Sequence, residues 1–339
     1  MKSDRYKRIG ATRQLSEYNL KTVLSQYPIG KLISIQTIES SKRNDNFTVE
    51  DSTGCRYVLR RFRRNSQEAR IRFQLAFQQH LLDSGFPTPR IVKTVANDML
   101  VPVDNHYWAV FEFVEGNEFN QSIEQIAEAA LRLAQFHNVV DSFVQQEVVV
   151  GFNRMPDWWA RGDDEVSELR KFFAGIDIEK ELDCIKECVT QLTREWPAER
   201  NKSLRQTWEH GDYHGRNMVF VGNEMRALFD FDVVHRGPRV EDIGRALFMF
   251  GRKRPGMGNI RTEIARLFLD NYLRHAELSQ EELKGIPSLA VLDSVPFASY
   301  YVMLHSDGEN ALAYFRNHVE MMSTIWTEMQ RISTIFAQR

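Results

Sequence analysis

The hydrophobic pattern of this chain changes period once, near residue 122, and that change limits the folds it can adopt. Before it, runs rich in β-branched residues alternate with turn residues, which predicts strands over 32–38, 47–50, 56–62, 99–103 and 108–114. The short turns between the first three strands favour antiparallel pairing, because parallel strands need long crossovers. A helix predicted from about Ser66 to Asp83 follows the third strand and ends at Ser84-Gly85.

After residue 122 the apolar residues recur at helical spacing. Helices are predicted over 122–138, 164–174, 178–195, 258–276, 279–285 and 309–336. One compact non-helical segment, Glu209 to Arg239, interrupts them. We therefore predict an α+β chain with an N-terminal antiparallel β-sheet lobe carrying one helix, residues 1–115, and a mainly helical C-terminal lobe, residues 116–339. This arrangement suits nucleotide-dependent transfer in a cleft between the lobes.

Composition excludes several classes of partner. The net charge of −2 over 339 residues argues against nucleic acid or an acidic membrane surface as a partner. No apolar run approaches the roughly 20 residues of a membrane-spanning helix, and no secretory signal is visible at the N-terminus. The cysteines, Cys55, Cys184 and Cys188, are few and odd in number, which favours free thiols in a reducing compartment. A cytoplasmic location is the expectation.

The segment from Glu209 to Arg239 contains the residues that indicate chemistry. His210-Gly211-Asp212 is followed by Asn217, then by two strand-like runs that predict a hairpin, then by Asp230. Such a hairpin brings its flanks together. Phosphoryl transfer needs a carboxylate to take the proton of the attacking hydroxyl, and it needs oxygen ligands for Mg²⁺. Asp212 is therefore predicted to be the base, and Asn217 and Asp230 the magnesium ligands.

These residues resemble the aminoglycoside phosphotransferase and choline kinase family, small-molecule relatives of the protein kinases that include homoserine kinase type II-like enzymes. That family carries His-Gly-Asp-x-x-x-x-Asn, then Asp-Phe-Asp or Asp-Phe-Gly, then a second aspartate before a helix. The resemblance implies a bilobal protein-kinase-like fold, with ATP and Mg²⁺ as cofactors. It also implies that His210 supports the catalytic loop that Asp212 and Asn217 complete, that Asp242 braces that loop, and that Asp232 is an additional metal ligand or lies behind one.

The resemblance extends to the N-terminal lobe, with one departure. Arg60, in the third predicted strand, matches the Lys or Arg that the family directs at the α- and β-phosphates. The family places a glutamate in the following helix to pair with this cation, but this sequence has Gln74 there. A glutamine can accept a hydrogen bond from a guanidinium but supplies no charge. The phosphate-anchoring pair is therefore in question.

Two further nucleotide contacts are predicted. The segment between the first two strands contains no glycine, so the hydroxyls and amides of Ser40 and Ser41 are expected to meet phosphate oxygens. The end of the last strand resembles the inter-lobe hinge, which implies that the carbonyl of Glu112 and the amide of Val114 bind adenine.

The acceptor is the least determined partner. His214, Arg216, His235 and Arg236 lie in or beside the loop segment and are candidates for binding the acceptor, although such residues are as often structural. The leading hypothesis is a kinase for a hydroxyl of a small metabolite: an amino alcohol, a sugar or a homoserine-like compound. The alternatives are an antibiotic phosphotransferase, a Ser/Thr protein kinase, against which the absence of an activation segment argues, and a weakly active nucleotide-binding pseudokinase, which Gln74 alone favours. The sequence leaves the oligomeric state open.

Overall fold

The computed structural model describes residues 17–38, 44–63, 67–144, 157–253, 258–306 and 308–337. Its helices are α1 Glu17–Leu24, α2 Glu68–Asp83, α3 Ile123–Val139, α4 Trp158–Phe172, α5 Glu179–Glu195, α6 Ala198–Ser203, α7 Val240–Gly251, α8 Thr262–Leu273, α9 Gln280–Asp293, α10 Ala298–Ser306, α11 Ala311–Ile332 and α12 Thr334–Ala337. Its strands are β1 Leu32–Thr37, β2 Asp45–Asp51, β3 Arg56–Phe62, β4 Ile91–Val92, β5 Val101–Val103, β6 His106–Glu112, β7 Asn117–Glu118, β8 Gln206–Glu209, β9 Met218–Val221, β10 Glu224–Leu228 and β11 His235–Pro238.

The N-terminal part is built on the predicted antiparallel sheet. Its strand order is β1-β2-β3-β6-β4, and β5 also pairs with β6. Because successive side chains alternate between faces, Leu59 and Val110 pack with residues of α1 on one face, whereas Ala109 and Phe111 lie on the opposite face, toward α2. Helix α2 is the predicted one, and α1 is an additional helix that the sequence did not indicate.

Helix α2 packs against two parts of the protein, one on each of two sides. Ile71 and Leu75 pack against the sheet. Phe73 and Phe77 instead enter the core of the C-terminal part, where the ring centroids of Phe73 and Trp208 are 5.2 Å apart. The hydrophobic core is therefore continuous across residue 115, where the sequence predicted a boundary between lobes.

The C-terminal part is mainly helical, as predicted. The hydroxyl of Ser122 accepts a hydrogen bond from the amide of Gln125 and so caps α3, which packs on α8. Helix α4 begins six residues before the predicted 164, because the Asp157 side chain caps it by accepting from the amide of Ala160. Within the ranges that the structure describes, no helix is long and apolar enough to cross a membrane.

The predicted hairpin is formed by β9 and β10, and three strands around it were not predicted. Strand β7 joins the hairpin in the order β10-β9-β7, and β8 pairs with β11. Gly116 lies just before β7 with φ of 155°, and a Cβ there would stand 2.4 Å from Cγ1 of Val219. The chain therefore runs in close backbone contact with β9 as it passes from the N-terminal sheet to α3.

Candidate active site

The predicted catalytic loop, residues 210–217, begins where β8 ends, and the side chain of its first residue, His210, is bonded to backbone groups. His210 is fully buried. The amide of Asp212 donates to its Nδ1 at 3.2 Å, so its Nε2 carries the proton and donates to the carbonyl of Phe229 at 3.0 Å. Burial lowers the pKa of His210 despite the nearby Asp242 carboxylate. A neutral imidazole with both nitrogens occupied fits the scaffold role that the resemblance implied.

Asp242 holds the start of this loop. Its two carboxylate oxygens accept hydrogen bonds from the amides of His210 at 2.7 Å and Gly211 at 2.9 Å. His137 Nε2 lies 3.4 Å from the same carboxylate. Burial by itself raises the pKa of Asp242, but these donors and the neighbouring imidazoles outweigh it, so the pKa lies below its ordinary value. Asp242 lies in the first turn of α7, not before the helix as the resemblance implied.

Asp212 presents its side chain between two basic groups. The carboxylate is 14% exposed and lies 3.4 Å from Nε2 of His214 and 3.9 Å from Nη1 of Arg245. Gly211, immediately before it, has φ of 71°, and a Cβ there would stand 2.8 Å from the carbonyl oxygen of Val233. The loop thus turns through a conformation that glycine favours and leaves the Asp212 carboxylate partly exposed.

Backbone and side-chain hydrogen bonds bring Asn217 and Asp230 to the same place. The side-chain nitrogen of Asn217 donates to the carbonyl of Asp212 at 3.0 Å, and the amide of Phe229 donates to the carbonyl of Asn217 at 2.9 Å. Asp230 follows directly, half-buried and with φ of 66°, a conformation uncommon outside glycine. The Asn217 side-chain oxygen and the Asp230 carboxylate are hard oxygen donors, and such a pair suits Mg²⁺.

Asp232 is held by the N-terminal part of the chain. Its carboxylate accepts a hydrogen bond from the side-chain nitrogen of the buried Asn44 at 2.9 Å. Its carbonyl accepts one from Arg70 at 3.0 Å, and Arg70 also donates to the carbonyl of Val234 at 2.9 Å. The segment after Asp230 is therefore fixed by α2 and by the loop before β2.

Arg60 lies on the sheet face toward α2, but within the described residues its hydrogen bond goes to Asn46 and not to Gln74. Arg60 Nε donates to the side chain of Asn46 at 2.9 Å, and its guanidinium lies 5.5 Å from the Phe111 ring centroid. Gln74 instead points its amide at the carbonyl of Asp232, 3.5 Å away. Ser40 and Ser41, the other predicted phosphate contacts, lie outside the described residues.

The predicted hinge lies where β6 leaves the sheet. The amide of Glu112 donates to the carbonyl of Arg90 at 2.9 Å, and the amide of Phe113 donates to the carbonyl of Arg56 at 3.1 Å. After these two bonds the chain has no regular structure until β7, and Val114 lies in that stretch. The backbone of Glu112 and Val114 is thus positioned at the junction of the two parts.

The four acceptor candidates differ in position. His214 is buried beside Asp212. Arg216 is exposed at the end of the loop. His235 faces Glu209 and Glu241 at 3.9 and 4.0 Å, and the exposed Arg236 lies over the Trp208 ring at 5.6 Å. Of these four, His214 is in direct contact with the predicted base.

Several buried polar residues near the site were missed by sequence reasoning. Arg245 pairs with Asp293 and faces Asp212. The others contact the loop or its supports and are Asn44, Arg70, Glu209 and Glu241. Arg70 and Gln74 stand four residues apart on one side of α2, and that spacing was the one available signal. Glu209 depends on the β8–β11 pairing, and the other three depend on contacts between elements distant in sequence, none of which the sequence predicted.

This chain matches a protein-family profile and several known proteins. A profile described as a phosphotransferase enzyme family matches residues 34–278. The chain is 24% identical over 278 residues to a homoserine kinase of Rhizobium etli, covering 81% of this chain and 82% of the relative. A homoserine kinase of Parvibaculum lavamentivorans is 26% identical over 282 residues, with 82% of each chain covered.

Solved structures share the fold. A microcompartment-associated aminopropanol kinase superposes with a TM-score of 0.71 at 15% identity, covering 94% of this chain and 98% of that chain. An amicoumacin kinase in complex with AMP-PNP and Ca²⁺ superposes with a TM-score of 0.68 at 15% identity, covering 91% of this chain and 94% of the other. These matches confirm the predicted protein-kinase-like fold and the resemblance stated from the sequence.

Proposed function

We propose that this chain, which belongs to the phosphotransferase enzyme family, transfers the γ-phosphate of ATP to a hydroxyl of a small metabolite. Residues 1–115 would hold the nucleotide and residues 116–339 the catalytic loop and the acceptor. The observation that carries the proposal is the joining of Asp212, Asn217 and Phe229-Asp230 through hydrogen bonds of 3.0 and 2.9 Å. This cluster supports the proposal because Asp212 could accept a proton and the side-chain oxygens of Asn217 and Asp230 could bind a metal.

The donor set fits Mg²⁺. The nitrogen of the Asn217 side chain is engaged by the carbonyl of Asp212, so its oxygen is the atom that a metal would meet. Asp230 directly follows Phe229, whose amide is bonded to the Asn217 carbonyl, and it supplies a carboxylate beside Asn217. Asn217 and Asp230 would hold Mg²⁺, with Asp232 behind them, and the bound ion would neutralise phosphate charge during transfer.

Asp212 would act as the base. In the transfer, the acceptor oxygen bonds to the γ-phosphorus, the bond from that phosphorus to the bridging oxygen breaks, and ADP leaves. The proton of the acceptor hydroxyl passes to the Asp212 carboxylate. His210 and Asp242 act through the backbone, because their contacts fix the peptide on either side of Gly211 and so orient Asp212. Both are positioning residues.

The nucleotide would bind against the N-terminal sheet. Arg60 lies on the correct face to meet the α- and β-phosphates, and the junction at Glu112 and Val114 offers backbone groups to adenine. Ser40 and Ser41 remain proposed phosphate contacts. Gln74 contributes a different contact from the one predicted, since it supports the carbonyl of Asp232.

The acceptor proposed first is an amino alcohol or a homoserine-like compound. Two homoserine kinases match over most of their length, and the superposed structures include an aminopropanol kinase. His214, at 3.4 Å from Asp212, is the candidate residue nearest to where the reacting hydroxyl would lie.

The test compares ADP release by the wild-type protein and an Asp212→Asn variant, with homoserine, aminopropanol, ethanolamine, choline and a hexose as acceptors. Loss of a general base lowers kcat by about 10²–10⁴-fold. The matched control is Asp163→Asn, which makes the same chemical change at an exposed position on α4. Full activity in folded Asp212→Asn, or no transfer to any acceptor despite ATP binding by the wild type, would contradict the proposal.

A further inference from the structure

Three titratable side chains converge behind the catalytic loop, outside the set that the proposed reaction uses. Glu209 ends β8 and lies directly opposite His235 of β11 in the strand register, and Glu241 lies in the first turn of α7. Nε2 of His235 is 3.9 Å from Oε1 of Glu209 and 4.0 Å from Oε2 of Glu241. One ligand atom from each residue lies within 4.8 Å of the other two.

The carboxylate of Glu209 is the unusual member of this group. The residue is 1% exposed, and no hydrogen-bond donor in the described ranges reaches its Oε1. Burial raises the pKa of Glu209 well above its ordinary value, and the carboxylates of Glu241, Asp242 and Asp293 raise it further. A buried carboxylate without a partner is costly. The arrangement therefore calls for a cation or a proton at this atom.

The backbone beside Glu209 leaves it room. A Cβ at Gly237 of β11 would stand 2.0 Å from Oε1 of Glu209, so a larger residue there would displace the carboxylate. Oε1 also faces a cavity that Asp293 and Arg245 help to line. Arg245 is the one cationic side chain among the cavity residues besides His235, and it is directed at Asp293 and Asp212.

His235 is oriented as a metal-binding histidine is. Its Nδ1 lies 3.0 Å from the carbonyl of Val233, which can only accept, so Nδ1 carries a proton and donates. Burial opposes a charge on His235, but the contact with Glu241 outweighs it, so the pKa of His235 lies above its ordinary value. A bound metal would displace the Nε2 proton and accept the lone pair of Nε2, which faces the two carboxylates. Histidines that bind metals commonly donate their second ring N–H to a backbone carbonyl in this way, because the bond fixes the ring and its tautomer.

The dimensions suit a single ion. The cavity has a volume of about 10 Å³, which is room for roughly one water-sized particle and too little for an acceptor or a nucleotide. Two atoms each about 2.2 Å from one ion and at the tetrahedral angle are separated by roughly 3.6 Å. The separations of 3.9 and 4.0 Å from His235 to the two carboxylates are a few tenths of an ångström longer than that value.

We propose that Glu209, His235 and Glu241 bind one divalent transition-metal cation, such as Zn²⁺ or Mn²⁺, separate from the Mg²⁺ proposed at Asn217 and Asp230. Two carboxylates and an imidazole are a common ligand set for such ions. The site joins the β8–β11 pair to the start of α7, where Asp242 holds the catalytic loop. Its role is therefore to position the loop, and its existence does not depend on the acceptor that the enzyme uses.

The test measures metal binding directly and without nucleotide. The full-length protein is stripped with EDTA, dialysed at equilibrium against Zn²⁺ or Mn²⁺, and its metal content is measured by mass spectrometry. Wild type is expected to bind one equivalent. Glu209→Gln and His235→Asn, which each remove one ligand and leave the other two residues in place, should bind at least tenfold more weakly.

Two controls separate this site from other metal binding. Glu224→Gln makes the same change as Glu209→Gln at an exposed position in the hairpin, and it should bind as wild type does. Asp230→Asn removes a ligand of the proposed Mg²⁺ site and should also retain the equivalent. The proposal is overturned if wild type binds neither metal, in which case a proton offsets the charge of Glu209. It is also overturned if Glu209→Gln or His235→Asn binds as tightly as wild type.

Discussion

Replacing Asp242 with asparagine tests how the catalytic loop is held. The Asp242 carboxylate accepts from the amides of His210 at 2.7 Å and Gly211 at 2.9 Å, and Nε2 of His137 lies 3.4 Å away. Asparagine has nearly the same shape but only one acceptor oxygen. Whichever way the new amide is turned, one of the two loop N–H groups faces another donor.

The size of the effect follows from those contacts. A hydrogen bond to a charged group contributes roughly 1.5–3 kcal/mol, and a buried donor left without an acceptor costs about 1–3 kcal/mol. These two quantities overlap, so the expected loss in the free energy of unfolding for Asp242→Asn is about 2–4 kcal/mol. Total stabilities of about 5–15 kcal/mol leave room for such a variant to fold.

We expect Asp242→Asn to reduce kcat by a larger factor than the loss in the free energy of unfolding would by itself suggest. Asp212 is one or two residues beyond the amide that loses its acceptor, and a displacement of about 1 Å at a reacting group can cost roughly 10²-fold in rate. Urea denaturation followed by circular dichroism gives the stability, and ADP release gives kcat. The control is Asp183→Asn, an exposed aspartate of α5, which should stay within about 0.5 kcal/mol of wild type. An Asp242→Asn protein as stable and as active as the wild type would refute the reasoning.

Two further substitutions probe the frame around the loop. Gly211→Ala should lower the free energy of unfolding by about 1–3 kcal/mol more than Gly54→Ala does. Both glycines have positive φ, but of the two only Gly211 would bring a Cβ against another atom, the Val233 carbonyl oxygen at 2.8 Å. Equal urea midpoints for the two variants would count against this reasoning. Glu282 is buried and pairs with Arg239 at 2.6 Å; burial opposes its charge, but the bonds from Arg239 and Ser279 outweigh it, so its pKa lies below 4.5. The stability advantage of wild type over Glu282→Gln should therefore be full above the ordinary pKa of a glutamate and shrink as pH falls toward the pKa of Glu282 in the folded protein. Urea denaturation near pH 7 and near pH 4 measures this advantage. An advantage unchanged at the lower pH would contradict the prediction.

Long periodic segments were predictable from sequence, and short paired ones were not. Strand β3 and the β9–β10 hairpin lie where β-branched runs and turn residues placed them. Strands β7, β8 and β11 are two to four residues long, too short for alternation to be read, and tertiary pairing alone defines them. Pairing of β8 with β11 is also what brings Glu209 to His235, so the cluster could not have been predicted.

The catalytic loop was predictable because its motif residues are close in sequence and a hairpin joins them. The residues proposed to bind the nucleotide were less predictable. Helix α2 contains three buried polar residues, Arg70, Gln74 and Gln78, and sequence spacing does not say which of them faces the sheet and which faces the other part of the chain. Matching by position paired Gln74 with Arg60, whereas the structure directs both Arg70 and Gln74 at the carbonyl of Asp232.

That shared orientation has a consequence for building hybrid enzymes. Helix α2 follows the sheet in sequence, but Phe73 and Phe77 pack in the core of the C-terminal part, and Arg70 supports the segment after Asp230. A chimera that took its first 115 residues from another relative would import a foreign helix into this core. The structure instead favours grafts that exchange the strands and keep α2 together with the C-terminal core against which it packs.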